Sequence, residues 1–200
     1  MFLDIISQKR QDTILKKIIL FSLLITSLFA ESKLYLGLSY GVSNESLTKS
    51  DNTEVSATPD MITFKGGYGE RSAYAIEFSL DYVNNKDPLF SANDGAKYGL
   101  NVDLLKAFDF GIYVLPFAKV GLGAGTLETD ANSGKLNYGS FNAGVGMFIP
   151  YNEHFDFELG YNYRFLTYQK EKSGNGTSIV DIQTPTSHIN VFYVGINTRF

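Results

Sequence analysis

Hydrophobic and polar residues alternate along the segment HFDFELGYNYRF, which covers positions 154–165. From Phe155 onward every second residue is aromatic or leucine, and the residues between them are Asp, Glu, Gly, Asn and Arg. A period of two is typical of a β-strand, because successive side chains point to opposite faces of a sheet. This strand would have one large apolar face and one face that carries both acids and a base.

The same alternation recurs along the chain from position 33 onward. The segments cover 33–41, 61–69, 72–83, 97–106, 112–124, 140–149, 154–165 and 189–200. Three connections are short, at 69–71, 107–111 and 150–153, and four are long and polar, at 42–59, 84–96, 126–136 and 169–187. Short turns at one end and long loops at the other predict an antiparallel up-and-down meander of eight strands.

The two faces of these strands differ in a consistent way. One face is apolar in every segment, whereas the other holds charged residues, amides and many glycines. A soluble eight-stranded barrel keeps its apolar residues inside, but transmembrane β-barrels place them outside, towards lipid. The sequence therefore predicts an all-β protein, an eight-stranded antiparallel up-and-down transmembrane β-barrel.

The charged residues of the polar face are predicted to form an ion-pair network in the barrel lumen, because buried charges are tolerated only when they are paired. The residues of this predicted network are Lys65, Glu77, Asp81, Asp103, Lys119, Asp156, Glu158 and Arg164. The carboxyl groups among them could be mistaken for a catalytic pair. The bases on the same face favour a structural network.

The amino-terminal segment predicts export. Lys16 and Lys17 precede IILFSLLITSLFA (18–30), an uncharged and mostly apolar run that ends in a small residue. A basic flank, an apolar core of this length and a small residue describe a cleaved signal peptide, and the run is too short to span a bilayer. We therefore assign residues 1–30 to a signal peptide and residues 31–200 to the barrel domain.

Composition and charge narrow the range of activities. The chain has no cysteine, which excludes disulfides and cysteine-based metal sites, and we expect no metal ion or cofactor. Its net charge of −4 provides no basic surface for nucleic acid. The 16 Phe, 13 Tyr and 19 Gly suit strands better than helices.

The signal peptide, the eight segments, the stretch LPFAKVGLGAG (115–125) and the ending YVGINTRF (193–200) carry a family resemblance. The sequence resembles the small outer-membrane β-barrel proteins of Gram-negative bacteria, of the OmpX/OmpA type. The resemblance implies location in the outer membrane, among its lipid and lipopolysaccharide, and we expect a monomer. It also implies that the ending, with Tyr193, Gly195 and Phe200, is an assembly signal read by the barrel-insertion machinery.

An eight-stranded barrel has a lumen that its own side chains fill. We therefore expect a non-enzymatic protein with a structural or adhesion-type surface role, which presents four polar loops outside the cell. A small or gated porin-like pore is the first alternative, and a lipid A-modifying enzyme is the second. Such an enzyme needs a serine with a histidine base near the outer leaflet. His154 lies in a short turn, and His188, next to Ser187, is expected to be a girdle or loop residue.

Overall fold

The computed structural model describes residues 33–85, 87–91, 94–129, 134–169 and 184–200, and the predicted signal peptide lies outside these residues. The described residues contain no helix with the length and hydropathy needed to cross a membrane. The chain forms β1 (Lys33–Thr48), β2 (Glu54–Ala57), β3 (Asp60–Gly69), β4 (Tyr74–Asn84), β5 (Lys97–Ala107), β6 (Leu115–Thr129), β7 (Gly134–Pro150), β8 (Phe155–Tyr168) and β9 (Thr186–Arg199).

The long strands close into a barrel. Each pairs antiparallel with the next in the order β1-β3-β4-β5-β6-β7-β8-β9, and β9 returns to β1 in a register that runs from Tyr35↔Arg199 to Thr48↔Thr186. The short β2 folds back on the last residues of β1. The predicted eight-stranded antiparallel meander is confirmed. We call the end with connections 70–73, 108–114 and 151–154 the turn end, and the opposite end the loop end.

Exposed and buried side chains alternate along each long strand, as the sequence pattern predicts. At mid-height, one large apolar side chain per strand points outward and is between 42% and 67% exposed. These side chains are Leu38, Phe64, Leu80, Leu100, Leu122, Val145, Leu159 and Val194. They form a continuous apolar band around the barrel, which is the surface that lipid covers in a transmembrane β-barrel.

The strands extend further towards the loop end than the sequence pattern indicates. Residues 42–48, predicted to be loop, continue β1, and most of the predicted loop 126–136 belongs to β6 and β7. The pattern was misread because the outward residues there, such as Asn44 and Ser46, are polar. Ladder hydrogen bonds continue beyond the apolar band, and only the environment of the outer face changes.

Pro116 is compatible with the closed ladder because it lies at the beginning of its strand. β6 starts at Leu115, three residues later than the alternating segment 112–124. A proline has no N–H to donate, so the first positions of a strand tolerate it best. Its carbonyl oxygen accepts a hydrogen bond from the Phe108 amide at 2.8 Å.

Candidate functional site

The centre of the lumen holds a cluster of ion pairs around two buried glutamates. Glu77 on β4 accepts hydrogen bonds from Lys119 Nζ at 3.0 Å and from the Tyr35 hydroxyl at 2.9 Å, and Lys65 Nζ lies 3.4 Å from its Oε2. Lys65 also donates to Glu158 on β8. Neither glutamate exposes more than 1% of its surface. The barrel thus brings together four residues of the predicted network: Lys65, Glu77, Lys119 and Glu158.

Glu158 shows that this cluster also uses neutral donors. The Tyr193 hydroxyl donates to its Oε1 at 2.9 Å, and Asn197 Nδ2 donates to its Oε2 at 2.7 Å. Both donors lie on β9, the last strand. A carboxylate that accepts several hydrogen bonds and an ammonium is compensated for the loss of water, so this arrangement is stable in a narrow lumen.

A second ion pair lies beside the central cluster, towards the loop end. Asp81 on β4 accepts from Arg164 on β8, from the Thr63 hydroxyl at 2.6 Å and from Asn101 Nδ2 at 2.6 Å. Both charged side chains are nearly buried, at 1% for Asp81 and 11% for Arg164. These partners come from β3, β4, β5 and β8, so the pair ties opposite walls of the barrel together.

Asp156 anchors the turn end of the lumen. Arg199 Nε donates to its Oδ2 at 2.6 Å, and Arg71 donates to its Oδ1. Arg71 lies in the turn between β3 and β4 and also donates to the backbone carbonyl of Asn152 at 2.8 Å. Sequence reasoning missed Arg71 because a turn residue has no place in a strand alternation. Arg71 therefore ties its own turn to Asp156 of β8, 85 positions away in the sequence, and to the turn that precedes β8.

Asp103 is the member of the predicted network that the barrel does not pair. Its side chain points into the lumen and is 4% exposed, but it forms no ion pair with a described residue. Lys119, on the neighbouring strand β6, directs its ammonium group to Glu77 instead. The carboxyl oxygen Oδ1 of Asp103 has no hydrogen-bond partner among the described residues.

One buried ion pair among the described residues has neither partner in the predicted network. Glu45 on β1 accepts from Lys97 Nζ at 2.7 Å, from the Ser187 hydroxyl at 2.7 Å and from the Tyr168 hydroxyl at 3.3 Å. Both charged side chains are at most 1% exposed. The pair was missed because β1 was expected to end at position 41, four residues before Glu45. The alternation of inward and outward residues in β1, extended past position 41, would have placed Glu45 in the lumen.

Apolar clusters occupy both ends of the lumen, which the sequence analysis did not predict. The turn-end cluster consists of Tyr35, Ala75, Leu105, Ala107, Leu115, Phe117 and Phe148. The loop-end cluster consists of Leu47, Ala57, Met61, Val83, Leu89, Leu127, Leu136, Leu166, Tyr168, Ile189, Val191 and Tyr193. Most of them occupy strand positions whose side chains point into the lumen. Extending the alternation of each strand would therefore have predicted them.

Leu89 enters the loop-end cluster from the connection between β4 and β5. It is fully buried, and the neighbouring Phe90 packs edge-on against Tyr168 with ring centroids 5.0 Å apart. Asp94 fixes this segment by accepting from the backbone amides of Leu89 at 2.8 Å and Phe90 at 2.6 Å. Burial alone would raise the pKa of Asp94, but hydrogen bonds from Thr129, Phe90 and Ser91 hold that pKa below its usual value.

Lumenal aromatic rings lie over glycines on neighbouring strands. The directly opposed pairs are Tyr35↔Gly67, Phe117↔Gly146, Tyr138↔Gly125 and Tyr193↔Gly160. A Cβ atom at any of these glycines would collide with the opposing ring or its hydroxyl. The sequence reading assigned the lumenal glycines to making room for charged side chains. They also make room for the rings that fill the barrel.

The assembly-signal residues have different environments. Tyr193 points into the lumen and bonds to Glu158, and Gly195 lies on the same face, next to Ser39 of β1. Phe200 is 65% exposed, and its backbone amide donates to the Leu34 carbonyl at 3.0 Å. The final residue therefore continues the β1–β9 closure and adds an aromatic ring to the outer surface at the turn end.

Ser187 and His188 point to opposite faces of β9. The Ser187 hydroxyl is buried in the lumen and donates to Glu45. His188 lies on the outer face, where its Nδ1 is 2.6 Å from the Tyr163 hydroxyl and its ring packs near Phe165, with centroids 5.1 Å apart. These two neighbours therefore cannot act as a serine–histidine pair. In the described part of the chain, no group of three or more Asp, Glu or His residues is arranged to hold a metal ion.

A closed barrel with an apolar outer band and ion pairs inside defines an outer-membrane β-barrel. Residues 18–200 match the family model of the outer membrane protein beta-barrel domain. The chain belongs to this family, and its location is the outer membrane. A search of curated protein sequences finds no match to the chain.

Two solved structures resemble this barrel. Neisserial surface protein A is 13% identical, with a TM-score of 0.60, and the match covers 84% of this chain and 97% of that one. The N-terminal β-barrel domain of OprF from Pseudomonas aeruginosa is 12% identical, with a TM-score of 0.50, and the match covers 82% and 97%. At these identities both comparisons support the fold alone.

Proposed function

We propose that this protein is a non-conducting integral barrel of the outer membrane with a structural or adhesion-type surface role. The observation that carries this proposal is the filling of the lumen. Leu47, Leu127 and Leu136 near the loop end and Ala107 and Asp156 near the turn end are fully buried, as is Glu77 between them. These buried side chains support a lumen filled by protein, which leaves the loops as the parts free to act on other molecules.

The polar loops face the outside of the cell in this proposal. Outer-membrane barrels have short periplasmic turns and longer extracellular loops. The turn end here has the short connections 70–73, 108–114 and 151–154. The proposal also places lipopolysaccharide and other outer-membrane lipid against the apolar band. The protein acts as a monomer, because closure of β9 on β1 leaves no strand edge to share in the membrane.

Protease access in intact cells tests this orientation. A protease site placed in the β1–β2 turn at residues 50–53 should be cut by protease added outside, because the turn lies at the loop end. The same site at residues 151–154 is the matched control and should be cut only after the cells are opened. Cutting of the second variant, but not the first, in intact cells would reverse the proposed orientation.

A small pore is the competing function, and conductance separates the two. The refolded protein in a planar bilayer should show no steady channel openings, because apolar clusters and ion pairs occupy the lumen from end to end. The sample should first be shown to be folded by its gel mobility, and a bilayer with detergent alone provides the blank. Steady openings with a reproducible ion preference would contradict the proposal and establish a pore.

The proposed partner during biogenesis is the barrel-insertion machinery, which would recognise the last strand. Deletion of Phe200 should slow insertion, because it removes the terminal aromatic ring and the backbone bond to Leu34. Pulse–chase labelling of membrane-inserted protein in cells measures this rate, and Phe200→Tyr is the matched control that retains a ring. Equal insertion rates for the deletion and the native chain would show that Phe200 is no part of a signal.

A further inference from the structure

Asp103 stands out because it is a buried carboxyl group with an unused acceptor. It lies on β5, opposite Glu77 of β4 on one side and Gly121 of β6 on the other. It is 4% exposed, and its Oδ1 has no hydrogen-bond partner among the described residues. An unsatisfied buried acceptor is costly, and an unpaired buried charge costs more.

A second unused acceptor lies across Gly121. Asn142 of β7 is the register partner of Gly121, so that glycine separates it from Asp103. A Cβ atom at Gly121 would collide with Asp103 Oδ1, which shows that the carboxyl group lies over the glycine. Asn142 donates its Nδ2 to Asn101 Oδ1 at 3.0 Å, and its own Oδ1 is buried without a partner. Asp103 Oδ1 and Asn142 Oδ1 are thus two buried acceptors on either side of Gly121 that lack a hydrogen-bond donor among the described residues.

The basic groups of the central section of the lumen all bind carboxylates other than Asp103. The titratable groups that face this section of the lumen include the Tyr35 hydroxyl on β1, Lys65 on β3, Glu77 and Asp81 on β4, Asp103 on β5, Lys119 on β6, Glu158 and Arg164 on β8, and the Tyr193 hydroxyl on β9. Among them, the three basic groups are Lys65, Lys119 and Arg164. Each basic group already donates to a carboxylate other than Asp103.

We propose that Asp103 carries a proton in the folded barrel and donates it across Gly121 to Asn142 Oδ1. One proton supplies a donor and also removes a carboxylate charge that no basic group pairs with. A water molecule would supply the donor alone and would leave the extra negative charge in a medium of low polarity. The neutral acid leaves no unpaired carboxylate in the central section of the lumen, which is a property separate from the role proposed for the loops.

Two substitutions of the full chain, expressed in the outer membrane and purified in detergent, test this proposal. Asp103→Asn replaces a neutral acid with a neutral amide of the same shape, so the denaturant midpoint of unfolding should stay unchanged. The matched control, Glu77→Gln, removes a carboxylate that compensates Lys65 and Lys119, so its midpoint should fall. Infrared spectra of the native protein should also show the carbonyl band of a protonated carboxylic acid, and Asp103→Asn should lack it.

Three results would overturn the proposal. The first is an infrared spectrum without an acid band, or with an acid band that persists in Asp103→Asn. The second is a midpoint for Asp103→Asn that falls as far as that of Glu77→Gln. The third is a midpoint of the native protein that rises with sodium concentration while that of Asp103→Asn does not, since a metal ion would then hold the place of the proton. The infrared comparison remains decisive even if Glu77→Gln fails to fold.

Discussion

Leu159→Arg should prevent the barrel from assembling in the outer membrane. Leu159 lies at mid-height on the outer face of β8 and is 42% exposed, so the new guanidinium would meet the hydrocarbon core. An arginine at the midplane of an outer-membrane barrel costs about 2–4 kcal/mol. That amount is a large part of the net stability of a small domain. The yield of heat-modifiable protein in the membrane fraction measures the effect.

Thr167→Arg is the matched control for this prediction. Thr167 lies on the same strand and the same outer face, near the loop end of β8, and is exposed. The cost of an arginine falls to about 0–1 kcal/mol near the interface, so this variant should assemble normally. Normal assembly of Leu159→Arg would show that the outer face of β8 does not contact lipid.

The second large effect is expected from Asp81→Ala. This change leaves the Arg164 guanidinium buried without its carboxylate and removes the acceptor of Thr63 and Asn101. Loss of one partner of a buried ion pair costs about 3–5 kcal/mol. Urea unfolding of the refolded protein in lipid vesicles, followed by circular dichroism, should show a correspondingly lower free energy of unfolding.

A double variant separates loss of the pair from loss of packing. Asp81→Leu combined with Arg164→Met replaces both charged groups with apolar side chains, and such replacements are often neutral or stabilising. The double variant should therefore be more stable than Asp81→Ala alone. If Asp81→Ala has the same free energy of unfolding as the native protein, the ion pair contributes nothing to stability. The lumen would then tolerate an unpaired guanidinium.

Much of this fold could be predicted from the period-two pattern, since lipid imposes one rule on every outward position. Outward residues such as Leu38, Leu100 and Val194 must be apolar, so the pattern repeats in each strand. The pattern weakens outside the lipid, where outward residues such as Asn44 meet water. The extension of β1, the short β2 and the pair Glu45–Lys97 were missed for this reason.

The interior was harder to predict than the outer surface. The alternation of inward and outward residues places Lys65, Glu77 and Glu158 in the lumen. It does not say which strands lie opposite one another or how far each side chain reaches. These three-dimensional distances determine that Lys119 pairs with Glu77 and not with Asp103. Contacts from turns and loops, such as Arg71 with Asp156 and Leu89 within the loop-end cluster, have no periodic signal at all.

The most direct test of the central claim, a barrel with an apolar outer surface and a polar, filled interior, is refolding of residues 31–200 into detergent micelles. Gel mobility with and without boiling and far-ultraviolet circular dichroism provide the readout. We expect a β-rich protein whose band shifts on boiling and which aggregates when detergent is absent. A protein that stays soluble without detergent and shows no shift would mean that the faces are inverted, and the account would be wrong.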